Sequence, residues 1–278
     1  MIVLPKIAAV SIGPAGDDRL PLWIEAEAGI AAAARAGAML AVLPELFALP
    51  YVAGDDPVRW LRLAETMAGA TVTRMRDAAC RSGVAVVFGI ALMTQGNLPL
   101  NAAVLVRPDG TATCVASKIH LPPADPADIF GEADHFSPGP ASVSAFQIGS
   151  LRVAVLICYD RRFPECWRAA AAAGADIVVV LVGGPAPTDP DGLFAAELRT
   201  HARANAVYAL AASRYGTETI LGRTMRHDGD SLAIDPHGNM MAVAPHAAPG
   251  LAMAVIDLTR LTEARAQNAT ARRLRLSA

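Results

Sequence analysis

Three stretches of this chain, AMLAVLP (38–44), VAVLI (153–157) and IVVVLV (177–182), are apolar almost without a break. A strand with one face in water alternates apolar and polar residues, whereas a run that does not alternate is covered on both faces. The chain must therefore supply covering layers on each side of its strands, and Ala-rich helical stretches alternate with the runs. PLWIEAEAGIAAAARAG (21–37) reads as a helix ending at a glycine, residues 57–82 as helical in two pieces broken near Gly69, and PECWRAAAAAG (164–174) and LFAAELRTHARANA (193–206) as further helices. Additional strands are predicted over 6–12, 84–92, 144–148, 151–157, 207–213 and 251–258. Pro108-Asp109-Gly110 and Pro236-His237-Gly238 predict hairpins over 102–118 and 231–244. Strands alternating with helices, plus two hairpins, argue for an α/β protein with a mixed sheet. No Gly/Ser-rich or Pro-rich linker divides residues 1–278, so one domain is expected. A short solvated tail is expected from about 267 to 278, with Arg272, Arg273 and Arg275 in it.

Composition removes several classes of function. Hydrophobic residues make up 53% of the chain, which argues against disorder, and the formal net charge of −2 comes from scattered charges of both signs. Without a basic block there is no nucleic-acid footprint. No uncharged apolar stretch reaches the roughly 20 residues of a membrane-spanning helix. The opening MIVLPKIAAVSIGPAG lacks the basic region of a signal peptide and reads as a first strand. Cys80, Cys114, Cys158 and Cys166 form no CxxC pair, so reduced thiols in a cytoplasmic protein are expected.

In α/β folds ligands sit beyond the carboxyl ends of strands, and three residues with chemical capacity occupy such ends. Glu45 follows a buried run in LAVLPELFALPY; it is either a paired carboxylate or one turned to solvent. Lys118 ends a strand in ATCVASKIHLPP and opens an irregular segment over 119–142; alone, it reads as a lysine snorkelling to water. A loop of that length inside a compact domain is usually functional. Cys158 closes VAVLI just before a helix. A free cysteine is often inert packing, but helix N-termini and nearby cations such as Arg161 and Arg162 stabilise a thiolate. Together, a carboxylate, a cation and a thiol suit base-assisted thiol attack on a carbon–nitrogen centre.

LPELFALPY, SKIHLPP and ICYDRRFPE, in this order, resemble the three catalytic signatures of the nitrilase superfamily, the carbon–nitrogen hydrolases. GEADHFSPG, PECWRAAAAAGADIVVV, ARANAVYALAASRYG and DGDSLAIDPHGNMMA extend the resemblance over almost the whole chain. It implies a four-layer α-β-β-α sandwich and a Cys-Glu-Lys triad with neither metal nor cofactor. Cys158 would be the nucleophile, Glu45 the general base and Lys118 the cation beside the oxyanion. Glu132 would be the supporting carboxylate, and the backbone N–H of Tyr159 a second oxyanion donor. Association into homodimers or larger assemblies is also implied. His120, two residues from Lys118, raises the possibility of a Cys-His hydrolase, but no papain-like signature accompanies it, and a structural role is expected.

The substrate implied is a small amide or N-carbamoyl compound. DRRFPECWR resembles the stretch after the cysteine in N-carbamoyl-D-amino acid hydrolases, where an arginine pair helps to hold a carboxylate. Arg161 and Arg162 either do the same or brace the loop by pairing with Asp160 or Glu165. Gly183 and Gly184 stand where many relatives carry a bulkier side chain facing the substrate, and leave space there. Tyr159 replaces the tryptophan that usually follows the cysteine of a true nitrilase, which favours amides over nitriles. An N-acyltransferase working through the same thioester, and a non-catalytic binding relative, are the competing readings.

Overall fold

The computed structural model describes residues 4–16, 18–50, 56–123, 131–183, 191–220, 223–227 and 230–272. In chain order the elements begin with β1 (Lys6–Ser11), α1 (Leu20–Arg35), β2 (Leu40–Val42), α2 (Pro57–Leu63), α3 (Ala70–Ser82), β3 (Ala85–Leu92), β4 (Leu100–Val106) and β5 (Ala112–Ser117). They continue with β6 (Ala145–Ile148), β7 (Leu151–Ile157), a 3₁₀ turn (Cys158–Arg162), α4 (Pro164–Ala172), β8 (Ile177–Val182), α5 (Leu193–Asn205) and β9 (Tyr208–Ser213). The β10 (Thr217–Ile220) and β11 (Arg223–Arg226) hairpin follows, then β12 (Leu232–Ile234), β13 (Met240–Val243), β14 (Gly250–Val255), α6 (Leu258–Gln267) and α7 (Ala269–Arg272).

Two six-stranded mixed sheets result. One runs β14-β1-β2-β3-β4-β5 and the other β13-β12-β9-β8-β7-β6. The side chains of β1 show how the layers stack. Ile7 and Ala9 enter the core that holds Leu40, Val42, Val87 and the strands of the second sheet. Their neighbours Ala8 and Val10 face Leu22, Ala26 and Ile30 of α1 and Val72 and Met75 of α3. On the far side, Trp167 and Ala170 of α4 and Leu198 and Ala202 of α5 cover the second sheet. Helix, sheet, sheet, helix is the order, and it explains the unbroken runs: Ile177–Val182 is buried at every position. Each fully buried Ile, Val or Leu in these layers contributes roughly 1.5–3 kcal/mol.

Both expected hairpin turns form, with Gly110 and Gly238 each at φ +84°, and the break near Gly69 is the N-cap of α3. Three boundaries differ from the sequence reading. The strand expected over 38–44 is regular only at Leu40–Val42, although Leu43 still donates to the carbonyl of Val87 at 2.8 Å and Pro44 accepts from Gly89 at 3.1 Å, which carries the segment along β3 up to the site. The last strand stops at Val255, since the Asp257 carboxylate accepts the backbone N–H groups of Thr259 and Arg260 and starts α6. The expected tail begins as helix: the Thr270 hydroxyl donates to the carbonyl of Ala204 at 3.2 Å, which ties α7 to α5. Residues 273–278 lie outside the described residues.

Candidate active site

β2, β3 and β5 run in one direction in the first sheet, and β7, β8 and β9 run together in the second. Residues that follow β2, β5, β7 and β8 therefore converge on one end of the sandwich: Glu45, Lys118, Cys158 and Gly183. Antiparallel β4 starts at that same end and delivers Asn101.

Glu45 and Glu132 are fully buried and Lys118 is 1% exposed. A buried charge is tolerated only when it is paired and its donors are used. The Lys118 ammonium donates to Glu45 Oε1 at 2.9 Å and to both oxygens of Glu132, at 2.7 and 2.8 Å. Asn101 Nδ2 donates to Glu45 Oε1 at 2.7 Å and to Glu132 Oε2 at 3.2 Å. The remaining Glu45 oxygen accepts the backbone N–H of Gly183 at 3.0 Å. Burial alone would depress the Lys118 pKa, but the carboxylates of Glu132 and Glu45 overcome it and hold the ammonium above its ordinary value. Of the two conditions left open for Glu45, the paired one holds, and Lys118 points into the protein.

Two glycines allow this packing. A Cβ on Gly89 of β3 would lie 2.5 Å from the backbone nitrogen of Leu46 and 2.6 Å from the Cα of Glu45. A Cβ on Gly183 would lie 2.7 Å from the Glu45 carbonyl oxygen. Gly183 thus meets Glu45 directly. Gly184 lies outside the described residues.

Cys158 opens the 3₁₀ turn with φ +43°, a left-handed conformation that costs a residue with a Cβ about 1–3 kcal/mol and persists only where surrounding structure enforces it. Leu46, directly after Glu45, has φ +45°. The Cys158 thiol is pushed up to about 11 by burial and by the Glu45 carboxylate, against the lowering influence of Lys118 and Arg161. A resting thiol follows, beside a carboxylate able to take its proton as a bond forms, with an ammonium close enough to meet the resulting negative charge.

The turn is fastened from several directions. Asp160, 1% exposed, accepts the backbone N–H groups of His120 at 2.9 Å, Ile119 at 3.3 Å and Ile157 at 3.4 Å. It joins the segment after Lys118 to the one bearing Cys158. His120 Nδ1 lies 3.0 Å from Asp160 Oδ1, and its ring stacks on Phe163 at 3.6 Å. His120, Asp160 and Cys166 bring nitrogen, oxygen and sulfur within 4.8 Å of one another. The backbone bonds of Asp160 make that group a brace for the turn.

Tyr159 packs edge-on against Phe163 with ring centroids 5.3 Å apart, and the Arg162 guanidinium lies 6.0 Å from the Tyr159 ring. Arg161 is buried. It donates to the carbonyl of Cys158 at 3.2 Å, pairs with Glu197 of α5 at 3.2 Å and sits over Phe194 at 5.0 Å.

Sequence reasoning missed Asn101 and Arg214, and named Asp160 only as a possible partner for the arginines. Asn101 was visible as an amide inside the apolar strand LNAAVLV. Asp160 was visible only as part of the motif around Cys158. Buried Arg214, which donates to the carbonyls of Leu46 and Leu49 and pairs with Glu218 at 3.3 Å, carried no local signal.

Comparison with known proteins finds matches over most of the chain. A family model described as carbon–nitrogen hydrolase matches residues 6–266. A protein named nitrilase from Pyrococcus abyssi is 31% identical over 253 residues, covering 91% of this chain and 90% of its own. An (R)-stereoselective amidase from a Pseudomonas species is 33% identical over 202 residues, covering 73% of this chain and 67% of its own. The crystal structure of a carbon–nitrogen hydrolase from Helicobacter pylori superposes with a TM-score of 0.85 at 22% identity, covering 98% of this chain and 96% of that one.

Proposed function

This chain belongs to the carbon–nitrogen hydrolase family and is an enzyme of the amidase type, and from that premise we propose that it cleaves a small amide or N-carbamoyl compound through a thioester on Cys158. The observation that carries the proposal is the buried Glu45–Lys118–Glu132 cluster acting on the thiol of Cys158. Sγ attacks the carbonyl carbon while Glu45 accepts the thiol proton. The oxyanion accepts hydrogen bonds from Lys118 and from the backbone N–H of Tyr159. An ammonium has three N–H donors; at rest Lys118 contacts one oxygen of Glu45 and both of Glu132, and one of the two Glu132 contacts gives way to the oxyanion. Glu45 returns a proton to the departing nitrogen, and ammonia leaves as the carbon–nitrogen bond breaks. Glu45 then activates the water that hydrolyses the thioester and regenerates the thiol. Such donors contribute on the order of 10²–10³ in rate. Glu132 and Asn101 hold Lys118 and Glu45 in register.

Tyr159 beside the thiol, in place of tryptophan, favours amides over nitriles. An ammonia-release screen across simple amides, ω-amides, N-carbamoyl-D- and L-amino acids and nitriles tests the reading. Turnover of at least one amide or N-carbamoyl compound is expected, lost in Cys158→Ala with an unchanged circular dichroism spectrum. Full activity in that variant contradicts it. If the acyl group passes to an added amine instead of water, the chain is an acyltransferase. The same reading makes the working unit a homodimer or larger assembly in a reducing cytoplasmic setting. Sedimentation giving a monomer mass contradicts the assembly.

A further inference from the structure

We propose that Arg161 is a positioning residue, committed by Glu197 to holding the left-handed backbone of Cys158 and not to binding a substrate carboxylate. This deepens the amide-hydrolysis reading and rests on it.

The geometry leaves little of the guanidinium for a ligand. One terminal nitrogen donates to the carbonyl of Cys158 at 3.2 Å. Nε lies 3.2 Å from the carboxylate of Glu197, with both side chains largely buried, at 5% and 17% exposure. Bidentate capture of a carboxylate needs two parallel N–H groups on one edge of the fork. One edge carries the bond to the Cys158 carbonyl, and the other faces the Glu197 carboxylate as an ion pair. A substrate carboxylate would also stand beside that of Glu197, and like charges in a partly buried site repel strongly. Phe194 under the guanidinium and the bond from Trp167 Nε1 to the Arg161 carbonyl at 2.8 Å fix the residue from two further sides.

The fold uses the same device on the other side of the site. Arg214, paired with Glu218, donates to the carbonyls of Leu46 and Leu49. Leu46 is the left-handed residue after Glu45, as Cys158 is the left-handed residue that carries the thiol. Each strained turn is thus held at a carbonyl by a buried arginine, and each arginine is matched by a glutamate from another element. The charges acting on the thiol are those of Glu45, Lys118, Arg161 and Glu132. Among these, Arg161 also grips the thiol's own backbone.

The test compares wild type, Arg161→Gln, Arg161→Lys and Glu197→Gln. Iodoacetamide labelling of the Cys158 peptide is followed by mass spectrometry near pH 8, where the rate tracks the thiolate fraction. Labelling should slow in Arg161→Gln, which removes a cation, and quicken in Glu197→Gln, which unmasks it. Arg161→Lys should stay near wild type. With a neutral primary amide all three variants should lose about 10–100-fold in kcat, because the turn loosens, while KM moves by less than about twofold. Packing damage alone would not shift labelling in opposite directions. The proposal is overturned if Glu197→Gln keeps wild-type kcat and labelling. It is equally overturned if Arg161→Gln raises KM only for N-carbamoyl amino acids and leaves the neutral amide untouched. If wild type releases ammonia from nothing, the amide reading fails by itself, and the labelling still decides the role of Arg161. Should Arg161→Gln not fold, Glu197→Gln carries the test.

Discussion

Lys118 shows how much one residue does here. Its ammonium lies between two buried carboxylates, so removing it leaves Glu45 and Glu132 facing each other without a cation. Breaking a buried pair in this way costs about 3–5 kcal/mol. Lys118→Met is expected to lower stability by that amount in urea unfolding and to abolish ammonia release; a loss below about 1 kcal/mol contradicts the burial argument. Lys118, Glu45 and Cys158 were each ambiguous alone and became legible together, as three strand-end residues whose motifs, in order, resemble a known family's signatures. Asn101 was less legible: an amide near the start of a strand reads as an edge residue until antiparallel β4 is seen to begin at the site. Arg161 and Arg162 could not be told apart by sequence. What separates them is Glu197, 36 residues beyond Arg161 in the chain, on α5.

At the scale of elements, the site depends on close approach between a strand and a loop. β3 carries Gly89 where the loop after β2 crosses it, and an added methyl would meet backbone atoms of Glu45 and Leu46 that cannot move aside alone. Gly89→Ala is expected to cost about 1–3 kcal/mol by overpacking and to lower kcat on the order of 100-fold by displacing Glu45. Wild-type kcat in a folded Gly89→Ala variant contradicts this. Apolar strands and turn tripeptides were readable because periodicity and Gly-Pro chemistry are local. The β10–β11 hairpin was not: TETI and RTMR alternate charged and hydroxyl residues with few apolar ones. Its value lies in the buried Glu218, which also accepts the backbone N–H of Ala15 at 3.0 Å and joins β10 to the segment between β1 and α1.

For the whole molecule, the sequence revealed layered α/β architecture but not how strands divide between sheets. β14 returns across the sandwich to pair antiparallel with β1, a contact between residues some 240 positions apart that no local pattern encodes. Burial in these layers also sets a pH limit. Cys158 is pushed up to about 11, chiefly by burial, and Cys166 to about 12, again chiefly by burial. Lys118 is raised by its carboxylate partners. A group whose pKa rises on folding binds its proton more tightly in the native state. Its stabilising contribution is intact below the unfolded value, 9.0 for a thiol, and is lost as pH climbs through the native one. Thermal melts should therefore fall steadily from about pH 9 to pH 11, and less steeply in Cys158→Ala. A flat profile across that window contradicts the buried-thiol account.

The central claim is that amide turnover passes through Cys158. Its most direct test is rapid quenching of wild-type enzyme during turnover of an amide found in the screen, followed by digestion and mass measurement of the Cys158 peptide. The account predicts that this peptide gains the mass of the substrate's acyl group, that the gain is labile to hydroxylamine, and that Cys158→Ala shows neither adduct nor ammonia. Ammonia release at the wild-type rate from Cys158→Ala, or an acyl adduct on any other residue during turnover, would contradict it.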